Sequence, residues 1–311
     1  MSRVFRRMLI GLLAAGIVGY AAVVALMAFK QRSLMYFPDA APRGSPTLPG
    51  VQVVRIATVD GERLVGWYLP PRPGRPVILH FGGNGEGLAD QQDRWRRIAR
   101  EGVGFLAIGY RGYAGSSGHP TEAGLHQDAR AAYGFLAQHH PPSQIVIWGH
   151  SLGSGVAVRL AVERPAQALV LEAPFRSAVA VAADAYPWLP VRLLMRDQFR
   201  SDLWIGKLRM PLLVVHGDRD AVIPIESGRS LFQAAPEPKS FVTIPGGGHD
   251  DLTARGVYDQ AWRFLKLKPL STAAPIGGIP HLGRAAFRSK PCATTSSAGP
   301  VSSCRSSASG R

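Results

Sequence analysis

The chain has 311 residues, 46% of them hydrophobic, and a formal charge of +15; that is length enough for one large α/β domain, or two small ones, with a sizeable core. Eleven of its 36 basic residues lie in residues 1–32 and 268–311, which hold no acid, so the middle carries 25 basic against 21 acidic residues, and with no basic stripe interleaved with aromatics it excludes a nucleic-acid partner. The two cysteines, Cys292 and Cys304, fall near the C-terminus; there is no disulfide framework, CxxC pair or zinc spacing, and neither a metal nor an organic cofactor is implied.

Residues 8–29 (MLIGLLAAGIVGYAAVVALMAF) carry no formal charge and show no apolar/polar periodicity, unlike a core helix. At 1.5 Å per residue they cover about 33 Å, enough to cross a hydrocarbon core of about 30 Å. A cleaved secretory signal is the rival reading, but its apolar stretch is usually about 7–15 residues, and Ala25-Leu26-Met27 is a poor cleavage site. An uncleaved single-pass anchor is expected. Arg3, Arg6, Arg7 and the α-amino group precede it and Lys30 and Arg32 follow, so the positive-inside rule puts the N-terminus in the cytoplasm. The remainder is then extracytoplasmic, or periplasmic in a Gram-negative cell.

From residue 51 onward strand-like and helix-like runs alternate. Residues 51–59 and 63–69 form a hairpin pattern across Asp60-Gly61. Residues 76–81 (PVILHF) read as a buried strand, 89–100 as a helix and 103–110 as a strand. A helix opened by Thr121 covers 121–139. Short apolar strands follow at 144–148, 168–172, 211–216 and 240–244, with a final helix over 251–265. Such alternation implies a mostly parallel sheet covered on both faces, made mixed by the opening hairpin. Residues 187–207 (apolar, aromatic and flanked by prolines) interrupt the pattern, as a lid or acyl-binding wall over the sheet edge or as an ordinary crossover helix. Residues 269–311 are rich in Ser, Ala, Gly and Pro and are expected to be disordered. The expected division is an anchor over 1–30, a catalytic domain over 31–267 and a low-complexity tail over 268–311.

Between the strand at 144–148 and a helical run lies Gly149-His150-Ser151-Leu152-Gly153. G-x-S-x-G at a strand-to-helix turn is a nucleophile elbow, in which small flanking residues let the turn close and the helix N-terminus faces the site. The alternative is a Gly-rich loop whose serine caps the helix. A nucleophilic serine needs a base, and an acid to orient that base. Of the histidines downstream, His281 lies in the tail, His216 ends an apolar strand, and His249 follows the flexible run Pro245-Gly246-Gly247-Gly248. His249 is the expected base. The acid is expected after a strand between the two, where Asp218 and Asp220 both occur. Asp220 is preferred because it lies further out, in a loop that Val222 and Pro224 can lock; Glu172 is the rival, and Asp250 reads as a solvated or capping acid. Two backbone N–H groups must receive a developing oxyanion. Leu152 is expected to supply one. The Gly-rich loop after residue 81 is expected to supply the other, from Asn84 first and Gly83 second.

Together these stretches resemble the α/β-hydrolase superfamily, and most closely its single-pass, membrane-anchored branch of serine hydrolases. That branch holds bacterial hydrolases together with eukaryotic depalmitoylases and lysophospholipases. The resemblance is carried by 31–38 (QRSLMYFP), 110–118 (YRGYAGSSG), 149–153, 171–177 (LEAPFRS), 187–199, 216–224 and 245–252. It implies an α/β fold with a mostly parallel eight-stranded sheet, helices on both faces and one preceding transmembrane helix. It also implies cleavage of an ester or thioester through an acyl-enzyme, on a small-molecule or lipid-like acyl substrate. An aminopeptidase-like peptidase and a non-catalytic, membrane-anchored binding protein are the alternatives, and oligomeric state is not legible. Two positions depart from the family: Gly82 stands where it usually has histidine before Gly83-Asn84, and Gly109 where an aspartate usually precedes Tyr110.

Overall fold

The computed structural model describes residues 2–41 and 44–268; the expected tail, with Cys292 and Cys304, lies outside the described residues from 269 onward. The chain opens with α1 (Arg3–Met35), capped by Ser2, whose Oγ accepts the Phe5 N–H at 3.3 Å. This helix is long and apolar enough to cross a membrane. It outruns the expected 8–29 at both ends, because the flanking Arg, Lys, Gln, Leu and Met residues are good helix formers. It stops at Tyr36, two residues before Pro38, where proline cannot continue the ladder.

The hairpin β1 (Gln52–Ala57) and β2 (Arg63–Leu69) pairs antiparallel across the Asp60-Gly61 turn. Then come β3 (Val77–Phe81), α2 (Gln92–Arg100), β4 (Gly104–Ile108) and α3 (Glu122–Ala137). Thr121 caps α3, its Oγ1 accepting the Gly124 N–H at 3.0 Å. The second half runs β5 (Ile145–His150), α4 (Leu152–Glu163), β6 (Ala168–Glu172), α5 (Ala178–Ala185), α6 (Val191–Leu194), β7 (Leu212–Gly217), α7 (Ile225–Ala234), β8 (Lys239–Ile244) and α8 (Val257–Phe264). The last helix begins six residues later than the expected 251, because Gly256, at φ 91°, breaks the chain into turns before it.

The eight strands form one sheet in the order β1-β2-β4-β3-β5-β6-β7-β8, antiparallel at β1/β2 and β2/β4 and parallel elsewhere. Alternation along each strand divides the core between its two faces. Val77, Leu79 and Phe81 of β3, with Ile145 and Ile147 of β5, meet α3 and α4 through Leu125, Ala129, Val156 and Leu160. Ile78, Val146 and Trp148 meet Trp95 and Ile98 of α2 and Val257 and Ala261 of α8. Because the parallel strands point the same way, the loops after β3, β5, β7 and β8 gather along one sheet edge. The order reverses about β3, and such switch points are where open α/β sheets place their sites.

Candidate active site

Ser151 sits between β5 and α4 at φ 50°, ψ −119°, a conformation that side chains rarely adopt. The turn is that tight because its glycines touch backbone. A Cβ at Gly153 would fall on the Phe81 carbonyl, and one at Gly149 on the Gly153 carbonyl. The Ser151 N–H donates to Glu172 O at 3.0 Å, tying the elbow to β6. Its side chain does not cap α4, so the capping-serine alternative does not describe this turn. Instead Ser151 Oγ lies 2.9 Å from His249 Nε2.

His249 stands in the loop after β8. Gly246 bends there at φ 67°, its N–H donating to Asp218 Oδ1 at 2.7 Å. His249 Nδ1 lies 2.8 Å from Asp220 Oδ2. A carboxylate only accepts, so Nδ1 carries the proton and Nε2 is left to accept from Ser151 Oγ–H. Asp220 is itself fixed: its Oδ1 accepts the Val222 and Ile223 N–H groups at 2.9 and 2.8 Å. Burial opposes its charge, but hydrogen bonds from His216, His249 and Ile223 outweigh this and hold the carboxyl well below the usual range. The structure therefore brings Ser151, His249 and Asp220 into one hydrogen-bonded chain. The rival acids are otherwise engaged: Asp218 holds the Gly246 turn, Asp250 is exposed, and Glu172 is buried against Arg94 Nη1 at 2.7 Å and Trp148 Nε1 at 3.0 Å. His216 is buried, its Nε2 donating to Ile223 O at 2.9 Å.

Leu152 is the first residue of α4, where N–H groups have no acceptor within the helix. Asn84 N–H finds no backbone acceptor among the described residues, whereas Gly83 N–H is committed to Glu86 Oε2 at 3.0 Å. The 82–87 loop is pinned from several sides. Tyr110 Oη donates to Gly82 O at 3.0 Å and Tyr113 Oη to Asn84 O at 2.8 Å.

Glu86 is a residue of this loop that sequence reading passed over, and it lies against Gly82. A Cβ at position 82 would come 2.8 Å from Glu86 Oε2, so glycine leaves the space that the carboxylate fills. Glu86 Oε1 lies 2.6 Å from Nδ1 of His150, the residue before the elbow serine. His150 Nε2 faces His249 O at 3.3 Å. Both ring nitrogens thus meet oxygens that only accept, which is the environment of an imidazolium. Burial would lower His150, but Glu86 overrides it and lifts it to about 9. The sequence signal, a lone Glu in a Gly-rich loop, has no periodicity to mark it.

An apolar cavity of about 630 Å³ opens on Ser151, Asn84 and His249. Its walls include Phe175, Val181 and Ala182 around α5 and Leu189, Leu194 and Met195 around α6. Residues 186–195, covering the first part of the 187–207 stretch, thus overhang the sheet edge as a wall of this cavity.

Comparison with known proteins agrees with this architecture. The family model Hydrolase_4, described as serine aminopeptidase, S33, matches residues 72–205. The uncharacterized protein Rv2307c of Mycobacterium tuberculosis is 41% identical over 245 residues, covering 76% of this chain and 87% of its own. The chain belongs to the α/β-hydrolase superfamily. The hydrolase is also 31% identical over 187 residues to the lysophosphatidylserine lipase ABHD12 of Danio rerio, across 53% of this chain and 49% of that protein. In fold it matches the Pyrococcus furiosus esterase Pf2001, with a TM-score of 0.58 at 18% identity over 73% of this chain and 97% of the esterase.

Proposed function

We propose that this hydrolase is a membrane-anchored serine esterase that cleaves an ester or thioester of a lipid-like acyl substrate through an acyl-enzyme. In this reading Ser151 Oγ attacks the acyl carbonyl carbon while His249 Nε2 takes its proton. Asp220 keeps the imidazole oriented and stabilises the imidazolium, and the Leu152 and Asn84 N–H groups receive the oxyanion. His249 then gives the proton to the departing alkoxide or thiolate. Water, deprotonated by the same imidazole, releases the carboxylic acid and restores Ser151. Residues 1–30 anchor the chain, residues 31–267 carry the chemistry, and the flanking arginines orient the catalytic domain outside the cytoplasm.

The observation that carries this reading is the 2.9 Å and 2.8 Å chain from Ser151 through His249 to Asp220, set at the mouth of a largely apolar cavity. The lipase name of one relative and the esterase title of a structural neighbour support an ester substrate. The test is hydrolysis of a panel of acyl esters, acyl thioesters and aminoacyl amides by the full chain, alongside fluorophosphonate labelling. Ser151→Ala is expected to lose the label and at least about three orders of magnitude in kcat. Undiminished turnover in that variant refutes the mechanism, and turnover of amides alone refutes the esterase assignment.

A further inference from the structure

We propose that α1 is a working wall of the active site: the substrate's acyl chain lies against its last three turns and reaches Ser151 from the bilayer, between α1 and the α5–α6 overhang. This rests on the esterase and anchor readings above and goes beyond them, because an anchor alone need touch nothing near the serine.

Three independent observations carry it. First, α1 is 33 residues long, about 50 Å at 1.5 Å per residue, against about 30 Å of hydrocarbon. Residues 3–23 are exposed throughout, and their uncharged part from Met8 covers about 24 Å of that thickness before the half-buried stripe begins. Within α1 the half-buried residues are Val24, Met27, Ala28, Gln31 and Met35. Their spacing of three and four is one face of a helix, and all five line the cavity that opens on Ser151.

Second, the C-terminal half of α1 is fastened to the overhang. Gln31 Nε2 donates to Leu194 O at 3.3 Å, and Gln31 Oε1 accepts the Arg196 N–H at 2.7 Å. Arg32 Nε lies 2.8 Å from Asp197 Oδ2, and Tyr20 Oη donates to Trp188 O at 2.9 Å. The outer surface of the same region is apolar and uncovered, with Leu193 85%, Phe29 81% and Trp188 54% exposed. Such residues suit the interfacial zone of a bilayer, where an aromatic ring has one apolar and one wet side.

Third, the end of α1 holds the oxyanion loop. Asn84 Nδ2 donates to Met35 O at 3.1 Å, and the Phe37 N–H donates to Asn84 O at 3.0 Å. The helix therefore walls the cavity along its length and meets the loop beside Ser151 at its end.

The test uses the full chain in phosphatidylcholine vesicles. A hexadecyl fluorophosphonate bearing a diazirine on its alkyl chain is reacted with Ser151 and irradiated, and the crosslinked peptides are mapped by mass spectrometry. Crosslinks to residues 24–35 are expected. In parallel, Ala28→Trp is expected to lower the ratio of kcat/KM for hexadecanoyl over butanoyl esters about tenfold, the loss of about two methylene contacts. Met27→Ala is expected to raise the ratio, so the comparison stands if the larger side chain disturbs folding. Val18→Trp, on the exposed part of the helix, is expected to leave it unchanged. A labelled Ser151 whose crosslinks avoid α1, with a ratio indifferent to both Ala28→Trp and Met27→Ala, overturns the inference alone. A folded parent that takes up no fluorophosphonate and cleaves no ester overturns the esterase reading, and the inference with it.

Discussion

Replacing Glu86 by Gln keeps the shape of the side chain and an acceptor for the Gly83 N–H but removes the charge facing His150. In the parent, burial works against the His150 cation, while Glu86 and, more weakly, Glu172 support it; Arg94, itself a cation, opposes it. His80 and His249 complete its surroundings. The net lift from 6.5 to about 9 corresponds to about 3 kcal/mol of folding stability. The folded-state value is raised, so this contribution is complete below pH 6.5 and is lost as pH rises through about 9. Glu86 is shifted the opposite way, held below the usual carboxylate range by His150 against its own burial; its share is present above about pH 4.5 and lost as pH falls. Both shares are in place at pH 6. The assay is thermal unfolding of full-length parent and Glu86→Gln in detergent at pH 6 and pH 9.5. At pH 6 the variant is expected to be about 3 kcal/mol less stable, about 6–12 °C in Tm for a domain of this size. At pH 9.5 most of that gap closes, because the parent has lost the cation as well. A gap of equal size at both pH values, or a parent whose stability rises between pH 6.5 and 9, refutes the ion pair.

Asp220→Asn is expected to leave His249 in the wrong tautomer, lowering kcat for a short-chain ester by about 10³–10⁴ with little change in KM; steady-state kinetics check this, and a fall confined to KM contradicts it. Gly153→Ala drives a methyl into the Phe81 carbonyl, where backbone lies on both sides and neither can yield, so a loss of about 3 kcal/mol or more is expected in a denaturant melt. Arg94→Ala strands Glu172, which Arg94 holds at about 2 against burial, and is expected to cost about 3–5 kcal/mol near neutral pH. The Arg94→Met, Glu172→Met double variant recovers most of that stability if the cost lies in the stranded charge.

The sheet was legible because its strands are short apolar runs bounded by turn residues, and a strand buried on both faces needs no finer pattern. The elbow was legible for a similar reason: Gly149 and Gly153 are required by backbone contact, so the sequence has no freedom there. Asp220 and His249 could be picked out because each follows a strand in a loop whose Gly or Pro content limits its path. Glu86, Tyr110 and Tyr113 belong to a different kind of signal. They act through side chains that reach 3–29 residues along the chain, to the Gly83 N–H and to the Gly82 and Asn84 carbonyls, and no local periodicity records such a reach. The stripe on α1 was hidden by composition. When nearly every residue of a helix is apolar, the face that meets protein cannot be told from its other faces.

These two kinds of legibility correspond to two kinds of support within one site. Ser151, Asp220 and His249 sit on loops leaving β5, β7 and β8, whose positions are fixed by adjacent parallel strands. Their geometry depends on the core. The Asn84 loop leaves β3 but is held from outside the sheet, by Glu86, by two tyrosines and by the end of α1. In the proposed mechanism, loosening that loop leaves the serine–histidine hydrogen bond in place and removes a donor for the oxyanion. A single such donor is worth about 10²–10³ in kcat. Disturbance of Glu86 or of the α1 end is therefore expressed as lost turnover with Ser151 still hydrogen-bonded to its base, whereas disturbance of the sheet takes both together. At position 82 glycine leaves room for the Glu86 carboxylate, and that carboxylate gives the loop a charge-dependent hold on His150, the residue before Ser151.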